Sequence, residues 1–189
     1  MEDSKRLVIS PRILIGIGIV IFMIIQSCFQ YYGGLMLLIF NLNGDFIRLI
    51  LFLILIFLPV SKIKNNRYKE EKIARAVYTT MAIIVTTFTI FFYMLLFSGN
   101  KYFYFHSPNK TRTLVAEETS FLLSGTTNFY ERKYGIFIKY TGHSIGTDDG
   151  YRPFSNNEYG IVWKDNSIAR VNYDFGNAGI WKSEVVKLK

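Results

Sequence analysis

Thirteen consecutive residues without a polar side chain, Ile13 to Ile25, constrain this chain more than any other feature. The apolar stretch continues to about Tyr32. Twenty residues at a helical rise of about 1.5 Å cover ~30 Å, the thickness of a bilayer core. A charged start followed by an apolar centre also fits a signal peptide. However, the residues that follow, Gln26-Ser27-Cys28, offer no small-x-small cleavage site. Ile25-Gln26-Ser27-Cys28 has the outline of a lipoprotein box, in which Cys28 would carry lipid. Gln26 fits that box poorly, and a small residue at a helix end explains Cys28 as well.

Two more apolar runs follow. Phe46–Val60, or 44–60 with its approach, is interrupted by Arg48. Ala76–Ser98 is long enough to cross with some tilt. The spans are therefore expected at about 13–32, 44–60 and 76–98, within a three-helix transmembrane domain over residues 1–99. Counted from Lys62 at a helical rise, Arg48 falls within snorkelling reach of the outer surface, and Asp45 at i−3 can pair with it. The competing reading makes Arg48 and Asp45 a functional membrane pair that lines a pore or a partner contact. Between the first two runs lies a short apolar segment, Gly33–Phe40. It is expected to lie in the outer interface; the alternative is that it lengthens the second helix inward. Thr79, Thr80, Thr86 and Thr87 form a stripe expected to pack helices closely.

Charge sets the orientation. Lys5, Arg6 and Arg12 precede the first run, and six Lys/Arg lie in Ser61–Arg75, whereas Gln30–Asp45 has none. Basic residues stay on the cytoplasmic side. The N-terminus is then inside and everything after the third run is outside. Tyr31 and Tyr32, and Tyr102–Phe105, would form an aromatic belt at the outer interface. The formal net charge of +8 is mostly juxtamembrane, since residues 100–189 carry twelve Lys/Arg against nine Asp/Glu. The basic balance therefore implies lipid and orientation, and no nucleic-acid partner.

From residue 100 the period changes. Ile136, Ile138 and Tyr140 alternate with Phe137 and Lys139, and Tyr159, Ile161 and Trp163 with Glu158, Gly160 and Lys164. Ala169, Val171, Tyr173 and Phe175 alternate with polar neighbours. Period-two patterning marks half-buried strands. Turn signals separate them at Lys133-Tyr134-Gly135, Asp148-Asp149-Gly150, Lys164-Asp165-Asn166 and Gly176–Gly179. Residues 100–189 are expected to form a small all-β antiparallel sandwich or barrel of six to eight strands that folds alone. With Cys28 the only cysteine, no internal disulfide supports it.

Ser107-Pro108-Asn109, Ser120-Phe121-Leu122-Leu123, the stretch Thr147–Phe154 and Asn172–Gly176 resemble the tails of small, uncharacterised membrane proteins of low-GC bacteria. That resemblance covers Ser107–Lys189. It implies a bacterial origin and an extracytoplasmic β-rich tail, and it brings no catalytic residue.

Few residues suggest chemistry. Asp148, Asp149, Asn156, Asn157 and Glu158 offer oxygen ligands that could hold calcium, although their spacing is not that of an EF-hand and both clusters are also ordinary turns. His106 and His143 are the only histidines, too few for a zinc site without carboxylate help. No nucleophile, base and oxyanion donors are spaced to converge. Tyr151, Phe154, Tyr159, Trp163 and Trp181 could stack on sugars or fill a core. No catalytic residue and no cofactor is expected. The expected role is a non-enzymatic accessory or sensing protein that binds another membrane or envelope protein, or an envelope ligand. The alternatives are a transport or immunity subunit and an envelope enzyme.

Overall fold

The computed structural model describes residues 10–59, 69–97, 99–176 and 179–189. Three helices and nine strands are present among them. Helix α1 runs Pro11–Gly33, with Pro11 in its first turn, and it ends where Gly34 takes the left-handed conformation at φ 60°. Strands β1 (Leu35–Ile39) and β2 (Leu42–Asn43) follow. Helix α2 (Gly44–Phe57) starts on Asn43, whose side chain accepts the Phe46 N–H at 2.8 Å. Helix α3 spans Lys69–Phe97. Two of these helices, α1 and α3, are long and apolar enough to cross a membrane. At 14 residues α2 reaches only about 21 Å. Residues 60–68 lie outside the described residues, and Lys69–Arg75, expected in the basic loop, are instead the first turns of α3.

The remaining strands are β3 (Lys101–His106), β4 (Thr113–Phe121), β5 (Ser124–Lys133), β6 (Phe137–Thr147), β7 (Tyr159–Trp163), β8 (Ile168–Asp174) and β9 (Trp181–Lys187). All pairings are antiparallel, as the alternation predicts. They form a six-stranded sheet in the order β2-β1-β6-β5-β4-β3 and a three-stranded sheet in the order β7-β8-β9.

The segment between α1 and α2 does not lengthen the second helix. It is a β-hairpin, and β1 pairs with β6 through Leu35–Lys139, Met36–Ile138 and Leu37–Phe137. The large sheet is thus completed by residues that precede α2, and the expected boundary at residue 99 cuts through it. The sheet curls far enough that Tyr104 on β3 donates to Asn41 in the β1–β2 turn at 2.6 Å. Its concave side holds a small core of Leu38, Val115 and Ile138, flanked by Met36, Tyr102, Tyr104 and Tyr130.

The other side of the large sheet packs on the small one. Leu114, Ala116, Phe129 and Ile145 meet Ala169, Val171, Tyr173 and Val186 there, around a fully buried Phe154. Phe154 stacks on Tyr159 at 4.7 Å and has Phe103, Phe105 and Phe129 as further ring neighbours. The expected aromatic belt at Tyr102–Phe105 does not form. These residues are a strand, and their rings divide between the two cores, Tyr102 and Tyr104 on one side and Phe103 and Phe105 on the other. Tyr31 and Tyr32, by contrast, are exposed at the end of α1.

Candidate functional site

Two groups of polar side chains converge where the helix ends meet the concave side of the large sheet. In the first, Arg48 on α2 bonds Asp45 one turn away and reaches across to α1, where it donates to Gln30 Oε1 at 2.7 Å and Ser27 Oγ at 3.3 Å. The expected Asp45 pairing is present. The guanidinium also ties α1 to α2, a role that the sequence does not suggest. One turn deeper in α1, Gln26 donates to the Gly44 carbonyl at 2.8 Å. A side chain at Gly44 would displace that amide. The close approach of α1 to the start of α2 therefore depends on both residues.

The second group is centred on Glu117 of β4, which is buried in the curl of the sheet. Its carboxylate accepts from Tyr102 at 2.6 Å, Tyr130 at 2.8 Å and Asn100 at 3.0 Å. Three donors replace the water that the charge gives up. Burial first, and then the Glu117 carboxylate, push the Tyr102 and Tyr130 phenols well above their ordinary value of 10.0. A group that holds its proton more tightly when folded stabilises the fold below its unfolded pKa, and that stability is lost as pH rises above it. Alkaline unfolding is accordingly expected to begin above about pH 10, with stability falling by up to about 1.4 kcal/mol per pH unit for each tyrosine. Tyr102→Phe should make that fall shallower in denaturant titrations between pH 9 and 11.

The remaining candidates are dispersed. Asp148 and Asp149 sit in a 3-10 turn, with Asp148 Oδ1 accepting the Asp149 N–H. Glu158 accepts from the Tyr151 hydroxyl, and the backbone N–H groups of Asn156 and Asn157 donate to the Arg152 and Phe154 carbonyls. Among the described residues no three His, Cys, Asp or Glu side chains converge on a common point. His106 bonds Thr113 at 3.0 Å, and His143 on β6 meets Glu184 on β9 at 2.9 Å. Cys28 is exposed. Of the threonine stripe, Thr79 and Thr86 are partly shielded with a buried Ala82 between them, whereas Thr80 and Thr87 are exposed.

Among the aromatics considered for sugar stacking, Phe154 is in the core and Tyr159 and Trp163 pack against it. Trp181 is 55% exposed, on the outer side of the small sheet above a shallow concavity lined by Gly160, Asn172 and Ser183. Sequence reasoning missed Glu117 and Glu118. A Glu-Glu pair reads as a solvated turn or surface, yet the two carboxylates point to opposite sides of β4 and both are buried. No protein-family model, no curated protein and no solved structure matches this chain.

Proposed function

We propose that this chain is a non-enzymatic accessory or sensing protein of a bacterial cell membrane. Its helices cross the bilayer three times from a cytoplasmic N-terminus, and its β-sheets lie outside, where they bind a partner protein or an envelope ligand. The observation that carries this reading is the pairing of β1 with β6. A binding module on a flexible tether would need no strand from between two helices. Here a load on the outer sheet is delivered directly to the ends of α1 and α2, through β1 and the Arg48 and Glu117 groups. A direct mechanical connection of that kind is what a sensor or an accessory subunit requires. The apolar side chains left exposed along α1 and α3, such as Ile17, Phe22, Phe88 and Phe91, favour a lipid surrounding, because their exposure to water would be costly.

Two measurements test this. Reporter fusions after Lys69 and after Lys189 should give opposite signals, and a cytoplasmic-only reporter active at Lys189 would reject the orientation. Affinity capture from solubilised membranes should recover a partner with the intact chain, and Trp181→Ala combined with Val162→Asp on the exposed side of the small sheet should lose it. Turnover of an envelope substrate by the purified protein, abolished by one polar substitution, would place it among enzymes instead.

A further inference from the structure

The turn between β4 and β5 is made of two leucines. Phe121 pairs with Ser124, so Leu122 and Leu123 form the whole loop. They are 81% and 76% exposed, with Phe121 beside them also exposed. Leu122 has φ 53°, a left-handed conformation at the position where a two-residue hairpin loop ordinarily carries glycine. Large apolar side chains at a strained, solvent-facing tip contribute nothing to either core.

The pairing register shows where the tip lies. Lys101, the first residue of β3 and four residues past the end of α3, pairs with Glu118. Strand β4 then runs three residues further towards the α3 side before it turns, an overhang of about 10 Å. A second contact agrees. Ser120 at the base of the hairpin bonds the Gly150 carbonyl at 3.0 Å, and Arg152 in the same loop packs directly on Gly99, between α3 and β3. The hairpin base, this loop and the exit of α3 therefore share one end of the sheet. Lys101 and Arg152 place two cations there, suited to the anionic headgroups at a bilayer surface.

We propose that Phe121, Leu122 and Leu123 form a lipid-docking tip that enters the outer leaflet beside α3, a second point of attachment for the outer sheet. The proposal rests on the reading that α1–α3 span the bilayer. The tip would resist rocking of the sheet about the α3 exit, so that its release or seating changes the strain reaching β1.

The test uses the full chain with Cys28→Ser, reconstituted in phosphatidylethanolamine–phosphatidylglycerol vesicles, with a nitroxide attached at Leu123→Cys. Controls carry the label at Met81→Cys, midway along α3, and at Val162→Cys, on the exposed side of the small sheet, away from the helix ends. Relaxation by oxygen and by a water-soluble nickel chelate reads the depth of each label. The expected result is a Leu123 label relaxed more by oxygen than by nickel, as at Met81, and the reverse at Val162. In Leu122→Gly with Leu123→Ser, whose turn suits the backbone better, a label at Ser124→Cys should be more nickel-accessible than the same label with both leucines present. A Leu123 label as nickel-accessible as Val162 would overturn the proposal. So would one shielded from both reagents, which would show a protein covering the tip. A nickel-accessible Met81 label would instead reject the membrane-spanning reading, and the tip with it.

Discussion

Residues 100–189 produced without the rest of the chain are expected to self-associate or to melt well below the intact protein. Removing β1 exposes the edge of β6, whose unpaired N–H and C=O groups invite pairing with another copy. It also uncovers Val115 and Ile138, which are buried partly by Leu38. Leu37 and Leu38 are both buried in the intact chain. At about 1.5–3 kcal/mol for each such side chain, the loss is of order 3–6 kcal/mol, a large share of the 5–15 kcal/mol that holds a typical domain together. Joining residues 34–43 to the fragment through a flexible linker should recover a monomer. Size-exclusion chromatography and thermal melts of the two fragments check this, and equal stability of both would show that the hairpin is dispensable.

The second large effect is expected at Glu118. Its carboxylate is buried and accepts the Phe154 N–H at 2.8 Å and the Ser155 N–H at 3.2 Å, together with the Ser155 hydroxyl. Those bonds hold the Pro153–Ser155 bend that seats Phe154 in the centre of the larger core. Glu118→Ala leaves two backbone donors unpaired in a dry site and opens a void. The cost is expected to be about 3–4 kcal/mol, a drop of more than about 10 °C in the melting temperature of a unit this size. Glu118→Gln keeps the shape and part of the acceptor set, so its cost should be clearly smaller. Tryptophan fluorescence during denaturation, reported by Trp163 and Trp181, distinguishes these outcomes; a neutral Glu118→Ala would remove the carboxylate from the account of the core.

The strands with clean alternation, β7 and β8 above all, are legible in the sequence because one side of each is wet. Strand β8 alternates Ala169, Val171 and Tyr173, all buried, with Arg170, Asn172 and Asp174. The large sheet is harder to read because it is covered on both sides. In β4, Leu114 and Ala116 fill one core and Val115 the other, and the carboxylates that follow are buried too. Neither hydrophobicity nor charge then reports a period of two. Strand β1 failed for a related reason. Leu35–Ile39 is a short apolar run flanked by two apolar helices, and such a run does not distinguish a strand from an interfacial or helical segment. Its partner β6 is about a hundred residues away, so only tertiary pairing identifies it. The junction was half visible. Arg48 stands out as a charge in an apolar run, and Asp45 as its partner, whereas Ser27, Gln30 and Glu117 acquire meaning only when α1 and β4 are brought to them.

The α1–α2 connection is a strand of the large sheet. The bond from the Leu38 N–H to the Ile136 carbonyl, at 2.8 Å, makes that pair hydrogen-bonded and the alternate pair Leu35–Lys139 non-hydrogen-bonded, with Cα atoms about 4.5 Å apart. Such a pair lies within the span of a disulfide. Leu35→Cys with Lys139→Cys, introduced into full-length Cys28→Ser, should oxidise nearly completely within the monomer and leave the melting temperature unchanged or higher. Two thiols that stay free under oxidising conditions while reacting readily with a soluble maleimide would show that β1 does not lie against β6.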